Sequence, residues 1–457
     1  MKTPFIFLVL LLGQLPLWVC GQTEVLSQYI TEGIQQNLVL KQKNVSLDQA
    51  LLALQTAKSM YQPNVALQAS YSTATGGRSI SLPLGDLMNP VYATLNQLTN
   101  SQQFPMLENQ SINFLPKNYY DAKVRTTIPL VNTDIAYNKK INEQQVTLQE
   151  IEVQTYEREL IKQIKTAYFN YLNANQAVKI YQSALDLAEE SKRVNQQLLD
   201  HGKGLPAYVL RAASEIEQTK AQLTQAEQQK VNARLYFNAL LNRDGNQPVD
   251  TVFNADVALK QVATLLQQEP EISNREELKT LQQLIAINEN QVRMDKKFTI
   301  PKINGFVDLG AQAEQMRFNS QSQYVMVGVQ LDLPLYSGNR NRLKIKQSQL
   351  ALEDAALNKE QVKKQLEVSS NVAKNNLLSA WRTYQASLKQ LAAASSYQRL
   401  IDRGYKAGTN TYIETIDARN QLTTANLSSL MSKYNVLSAA AELERETATY
   451  PLNHERP

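Results

Sequence analysis

From Asn132 to Lys203 the chain carries no proline, and its apolar residues keep a spacing that few compact folds can use. Leu160, Ile164, Ala167, Tyr171, Ala174, Val178, Tyr181, Leu185 and Ala188 follow one another in alternating steps of four and three. Such a repeat keeps one seam turned toward a partner helix and implies left-handed supercoiling. Alanine at several seam positions allows close backbone approach. Lys162, Lys165 and Lys179, set among Gln and Asn, leave the flanks tolerant of water. A helix of about 70 residues reaches on the order of 105 Å. It needs lateral partners, because packing rather than propensity holds most helices.

The same plan returns downstream. Leu187 and Leu391, Gly204 and Gly408, Tyr208 and Tyr412, Ala221 and Ala425, and Leu223 and Leu427 each stand 204 positions apart, and Pro129 and Pro334 stand 205 apart. Each long helix is predicted to stop at a glycine-bearing turn, His201-Gly202-Lys203-Gly204-Leu205-Pro206 or Arg403 to Asn410. Glycine accepts the positive φ of a helix end, and Pro206 suits the first turn of a return helix. Return helices are expected at about 207–242 and 412–444, giving two antiparallel hairpins.

Upstream of each hairpin lies a pair of alternating segments, at about 64–74 and 122–130 and again at about 302–312 and 324–335. Val65, Leu67, Ala69 and Tyr71 share one face, as do Val325, Val327, Val329, Leu331 and Leu333, a period of two that marks strands. Pro63 and Pro301 precede the first strand of each pair, and Pro129 and Pro334 stand at the exits. Strands of about ten residues suffice to cross a membrane at a tilt. Four strands leave open edges that hydrocarbon cannot satisfy. Three copies would supply enough strands to close a barrel, so oligomerisation is a requirement of this reading. The first strand pair is separated by a long loop, roughly 76–120, rich in Ser, Asn, Gln and Pro. Shorter helices are expected at about 24–60 and 272–297, and an irregular connector between 243 and 271.

Lys2 followed by the apolar run Pro4–Val19 reads as a secretory signal cleaved after Gly21. Lipidation at Cys20 is the alternative, disfavoured by bulky Trp18 and Val19 beside it. With a single Cys in the sequence no intrachain disulfide is possible. The net charge of +5, with both signs interspersed, gives no basic cluster for nucleic acid. Two His and one Cys argue against a soft-metal site, and no catalytic constellation or phosphate-cradling loop followed by Lys stands out. No cofactor is expected.

The duplicated strand pairs, proline exits and glycine turns resemble the TolC family of outer-membrane efflux proteins over essentially the whole mature chain. The sharpest local feature is Tyr405-Lys406-Ala407-Gly408-Thr409 followed by Tyr412 to Ala418, similar to the family's Tyr-x-x-Gly tip. The resemblance implies a mixed α/β membrane protein. It would be a homotrimer with a twelve-stranded β-barrel, four strands per chain, continuous with a long antiparallel α-helical periplasmic barrel. The implied organisation is a signal at 1–21, a first efflux repeat at 22–244 (hairpin 132–242) and an equatorial connector at 245–271. A second repeat follows at 272–450 (hairpin 339–444), with a polar tail at 451–457.

The resemblance further implies an acidic ring at the periplasmic gate, matched here by Glu414 and Asp417. Three apart on a helix, the two share one side, and a solvated helix face is the plain alternative. Tips and adaptor contacts would be His201, Gly204, Leu205, Tyr405, Gly408, Thr409 and Asn410. Family members place arginine where Asn410 stands, so amide hydrogen bonds would replace a salt-bridged latch. Tyr405 either bonds a neighbouring hairpin or covers the hairpin end, and His201 reads as a surface residue. The implied partners are a periplasmic adaptor (membrane fusion protein), an inner-membrane RND-type or ABC-type transporter, and outer-membrane lipid. The expected function is passive exit of drugs or other small solutes. The alternatives are a type I protein or peptide secretion channel and, in a different class, a periplasmic coiled-coil scaffold.

Overall fold

The computed structural model describes residues 24–115 and 117–452. The expected signal, Cys20 and residues 453–457 lie outside them. The elements in chain order are α1 (Glu24–Gln36), α2 (Leu38–Ser59), β1 (Asn64–Ser72), β2 (Ser79–Leu82), α3 (Leu84–Leu98), β3 (Gln110–Asn113), β4 (Tyr119–Val131), α4 (Thr133–Asp200), α5 (Pro206–Leu240), α6 (Ala255–Leu265), α7 (Glu276–Lys296), β5 (Lys302–Glu314), β6 (Gln323–Asp332), α8 (Arg340–Ala407) and α9 (Tyr412–Thr447). The described residues divide into two compact units, one within 24–49, 146–285 and 354–452, the other within 50–145 and 286–353.

The first unit is helical. The heptad seam of α4 buries Leu160, Ile164, Ala167 and Tyr171, and farther along Leu185 and Ala188 pack on Ile216 and Leu223 of α5. Tyr168 lies fully buried among Tyr29, Phe237 and Phe253, with ring centroids 5.7, 5.6 and 5.9 Å away. The Tyr168 hydroxyl donates to the Asp250 carbonyl at 3.0 Å, and the Asp250 amide donates to the Tyr29 hydroxyl at 2.8 Å, so the connector is tied to the core. That connector is more regular than its composition suggests. Asn254 caps α6 by accepting from the Val257 amide, and Ala255, Leu259 and Val262 form a buried stripe at helical spacing.

The single helix expected at 24–60 is also two, α1 and α2. Asn37 breaks it: its side-chain oxygen accepts from the amides of Val39 and Leu40, and its nitrogen donates to the Leu240 carbonyl. A charged hub ties α4, α7 and α9. Arg275 reaches Glu277 and Glu446, Arg445 reaches Glu277 and Glu159, and Arg158 reaches Glu276. Burial works against the Glu277 carboxylate, but the hydrogen bonds and charges of Arg275 and Arg445 outweigh it and hold its pKa down at about 2.

The second unit is built on an antiparallel sheet of order β1-β4-β5-β6. One face carries Val65 and Leu67 of β1, Val124 of β4, Leu309 of β5 and Val325, Val327 and Val329 of β6, all exposed. The other face is polar: Arg125 grips Asp308 across β4 and β5 through two bonds of 2.7 and 2.6 Å, and Tyr324 donates to Asp121 at 2.9 Å. Pro63 and Pro301 stand immediately before β1 and β5. Pro129 lies inside the end of β4, where the register with β5 shifts. The outer edges of β1 and β6 pair with no other strand among the described residues.

The segment read as a long loop between the first two strands is folded. It holds the ribbon β2–β3 and the helix α3. Its asparagines, which gave it a loop-like composition, act as fasteners: Asn109 accepts from the amides of Gly85 and Asp86 and donates to the Asp86 carboxylate.

Candidate functional site

The sequence-expected site residues gather at the two hairpin tips, both within the helical unit. At the first tip α4 ends in a Schellman turn: the Lys203 amide donates to the Leu198 carbonyl at 2.8 Å and the Gly202 amide to the Leu199 carbonyl at 2.9 Å. Gly202, at φ +69°, takes the left-handed position. Gly204 has a different task, since a Cβ there would come within 2.6 Å of the Leu199 nitrogen. His201 lies exposed with Nδ1 2.7 Å from the Gln197 carbonyl, and Leu205 is exposed just before Pro206 opens α5.

The second tip repeats the turn. The Thr409 amide donates to the Gly404 carbonyl at 2.9 Å and the Gly408 amide to the Tyr405 carbonyl at 3.1 Å, with Gly408 at φ +74°. In turn geometry Gly408 therefore corresponds to Gly202, two positions before the glycine matched in sequence register. Thr409 Oγ1 donates to the Gly404 carbonyl at 3.0 Å, and the Asn410 side chain folds over Gly404, where no Cβ would fit.

Glu414 is part of the start of α9. Its carboxylate accepts from the Thr411 amide at 2.7 Å while Thr411 Oγ1 accepts from the Glu414 amide, a capping box. Asn410 Nδ2 adds a bond of 3.2 Å to the same oxygen. Those bonds, the Thr411 amide first, lower the Glu414 pKa from its ordinary value. Asn410 thus ties its own turn to α9 within one hairpin. Asp417 is exposed and accepts from Gln421 at 2.7 Å. The two carboxylates share the exposed side of α9, whose opposite side buries Thr415, Ile416 and Ala418.

Tyr405 reaches the other hairpin. Its hydroxyl donates to Asn195 Oδ1 of α4 at 3.3 Å, and its ring lies 6.1 Å from that of Tyr412. Tyr412, 1% exposed, accepts from Ser191 Oγ at 2.9 Å and packs on Tyr208 and Ala212 of α5. Burial raises the pKa of both phenols. Ser191 and Asn195 were not among the sequence candidates. Their one signal is polar residues four apart on α4, buried where the return helix of the second hairpin begins. Beyond the tip, Gln390, Ala393, Ala394, Tyr397, Asn420, Gln421 and Thr424 line an open groove of about 500 Å³ between α8 and α9.

The model of the outer membrane efflux protein family matches residues 30–243 and 269–448. The chain belongs to that family. It is 22% identical over 455 residues to outer membrane protein TolC of Escherichia coli (strain K12), covering 93% of this chain and 84% of TolC. To the cobalt-zinc-cadmium resistance protein CzcC of Cupriavidus metallidurans it is 25% identical over 293 residues, 62% of this chain and 66% of CzcC. Its fold is that of the outer-membrane channel CusC, with a TM-score of 0.74, 15% identity and 95% of each chain covered. This efflux protein is therefore an outer-membrane channel rather than an enzyme, with its helical tunnel in the periplasm. The family is generally trimeric and works with adaptors and inner-membrane transporters.

Proposed function

We propose that three copies of this efflux protein form the exit duct of a tripartite pump, each contributing four strands to a twelve-stranded barrel. Drugs or other small solutes pass passively once the duct has docked to a periplasmic adaptor and an inner-membrane RND-type or ABC-type transporter. The observation that carries this reading is the sheet: an exposed apolar face, a polar face braced by Arg125–Asp308, and two free edges. Exposed Val and Leu on that scale suit lipid, and free edges in lipid demand strands from neighbours. Tyr61 and Tyr336 near one end of the strands and Tyr71 and Phe318 near the other suit interfacial aromatic girdles. A scaffold without a membrane role leaves that face unexplained.

On this reading the chain is two repeats, 22–244 and 272–450, around the connector 245–271. The exposed tip residues His201, Leu205 and Thr409 and the amide-lined α8–α9 groove receive the adaptor. Glu414 and Asp417 form the acidic ring, with Glu414 also fastening its helix. Tyr405–Asn195 and Tyr412–Ser191 replace a charged latch between hairpins. CzcC is named for cobalt, zinc and cadmium resistance, so divalent metal ions join drugs as cargo to be tried.

The test is reconstitution into planar bilayers. Glu414→Gln, which keeps the side-chain acceptor of the cap but removes the charge, combined with Asp417→Asn, should leave channels forming while reducing cation selectivity and multivalent-cation block. Protein that inserts but never conducts would overturn the duct. Unchanged selectivity and block would return both carboxylates to an ordinary solvated helix face.

A further inference from the structure

Helix α3, between β1 and β4, is docked inside out. The side turned to its own segment is held by paired amide bonds, with the Tyr92 ring between them 5.6 Å from that of Phe104. Asn89 donates to the Leu107 carbonyl at 3.0 Å and accepts from the Leu107 amide at 2.7 Å. One helical stretch on, Asn96 does the same with Phe104, at 2.7 and 3.0 Å. Gly85, on that side, sits so close that a Cβ would meet the Leu107 carbonyl oxygen at 2.4 Å. The apolar residues Leu84, Leu87, Val91 and Leu98 are left on the outside, Leu98 77% exposed. Their steps of three, four and seven are the seam of a helix that meets another helix. A helix fastened to its own chain by asparagine amides and one aromatic contact, with four large apolar residues left facing outward, is built for a cover.

What covers it follows from charge and topology. Helices that lie on membranes carry Lys and Arg on their polar face, whereas the only charged residue of α3 is Asp86. The whole stretch 76–118 balances Arg78 and Lys117 against Asp86 and Glu108. The segment also leaves directly from β1, an edge strand whose open side needs a neighbouring chain. α2 enters β1 and α4 leaves β4, so residues 73–118 lie at the end of the sheet opposite those helices. We propose that α3 packs along its Leu84–Leu98 face against α3 of a second copy of this chain, gathering the three outer segments beyond the end of the barrel. This rests on the trimeric reading above.

Cysteine cross-linking separates the two claims. Cys20 is the only native cysteine and is replaced by Ser. The full chain carrying Val91→Cys, oxidised in membranes, should shift to a reducible two-chain band. Ala93→Cys, exposed on the other side of α3, should not. A reference panel pairs Leu67→Cys on β1 with Val325→Cys, Val327→Cys or Val329→Cys on β6. A reference cross-link without one at Val91→Cys overturns the α3 proposal and leaves the barrel standing, whereas failure of the whole panel removes the trimer beneath it. Quenching of a fluorophore on Val91→Cys by nitroxide lipids would assign the face to membrane and likewise overturn it.

Discussion

Helices α4 and α8 are each 68 residues long and each opens a hairpin, yet they treat their apolar residues in opposite ways. α4 buries a broad stripe including Leu160, Ile161, Ile164, Tyr168, Phe169 and Leu172, and Leu187 is its one large apolar residue left exposed among the described residues. α8 buries a narrow seam, Leu366, Ala373, Leu377, Tyr384 and Ala394, and leaves Leu343, Leu350 and Leu357 exposed, Leu357 by 64%. Those three recur every seven residues, so α8 carries a second seam that its own chain does not cover. The sheet shows the same contrast between β4 and β5, paired on both sides, and β1 and β6, each paired on one. α4 completes a fold, while α8, β1 and β6 leave an apolar seam and open strand edges uncovered among the described residues.

The sharpest way to break this contrast is to damage the buried stripe. Ile164→Ala should cost about 2–5 kcal/mol, read as a loss of urea stability in detergent with or without assembly. The charged hub in the same helical unit comes next. The stabilisation from Glu277 is complete above its unfolded pKa of about 4.3 and is lost as pH falls toward about 2. Glu277→Gln should therefore cost on the order of 2 kcal/mol at neutral pH, allowing for solvent screening, and flatten acid unfolding below that unfolded pKa.

At the tips, Tyr412→Phe removes the acceptor of Ser191 and should cost about 1 kcal/mol. If the tyrosine contacts hold the hairpins together, the same variant raises the open fraction in single-channel records. Smallest for the single chain is Leu357→Ser. It should alter the stability of a separated subunit by no more than about 0.5 kcal/mol, yet lower the yield of heat-resistant oligomer in membrane extracts. A large loss of subunit stability from that variant would remove the contrast between α4 and α8.

Much of this was legible from spacing alone. The four-three steps through Leu160 and Leu185 are visible because a coiled seam repeats many times, and Val325 to Leu331 alternate because one strand face stays apolar. The departures share a cause: the side-chain amide of asparagine can break, start or fasten a helix, and composition does not show which. Asn37 splits the first helix by accepting two amides, Asn254 starts α6, and Asn89, Asn96 and Asn109 fasten α3 to its strap. At the tips the glycine pattern showed where the turns fall, but not that Gly202 rather than Gly204 takes the positive φ. Glu414 and Asp417 stand out as candidates only by family resemblance, and the capping bond of Glu414 becomes visible with the geometry of Thr411. Ser191 and Asn195 left almost no trace, since a polar residue buried by a hairpin 200 positions away looks like any other on a solvated helix.

On the proposed reading neighbouring chains cover the exposed seams and open strand edges, and native mass spectrometry of the protein released from detergent micelles counts them. The account predicts three chains per particle. A folded single chain with intact β-structure and no larger species would contradict it.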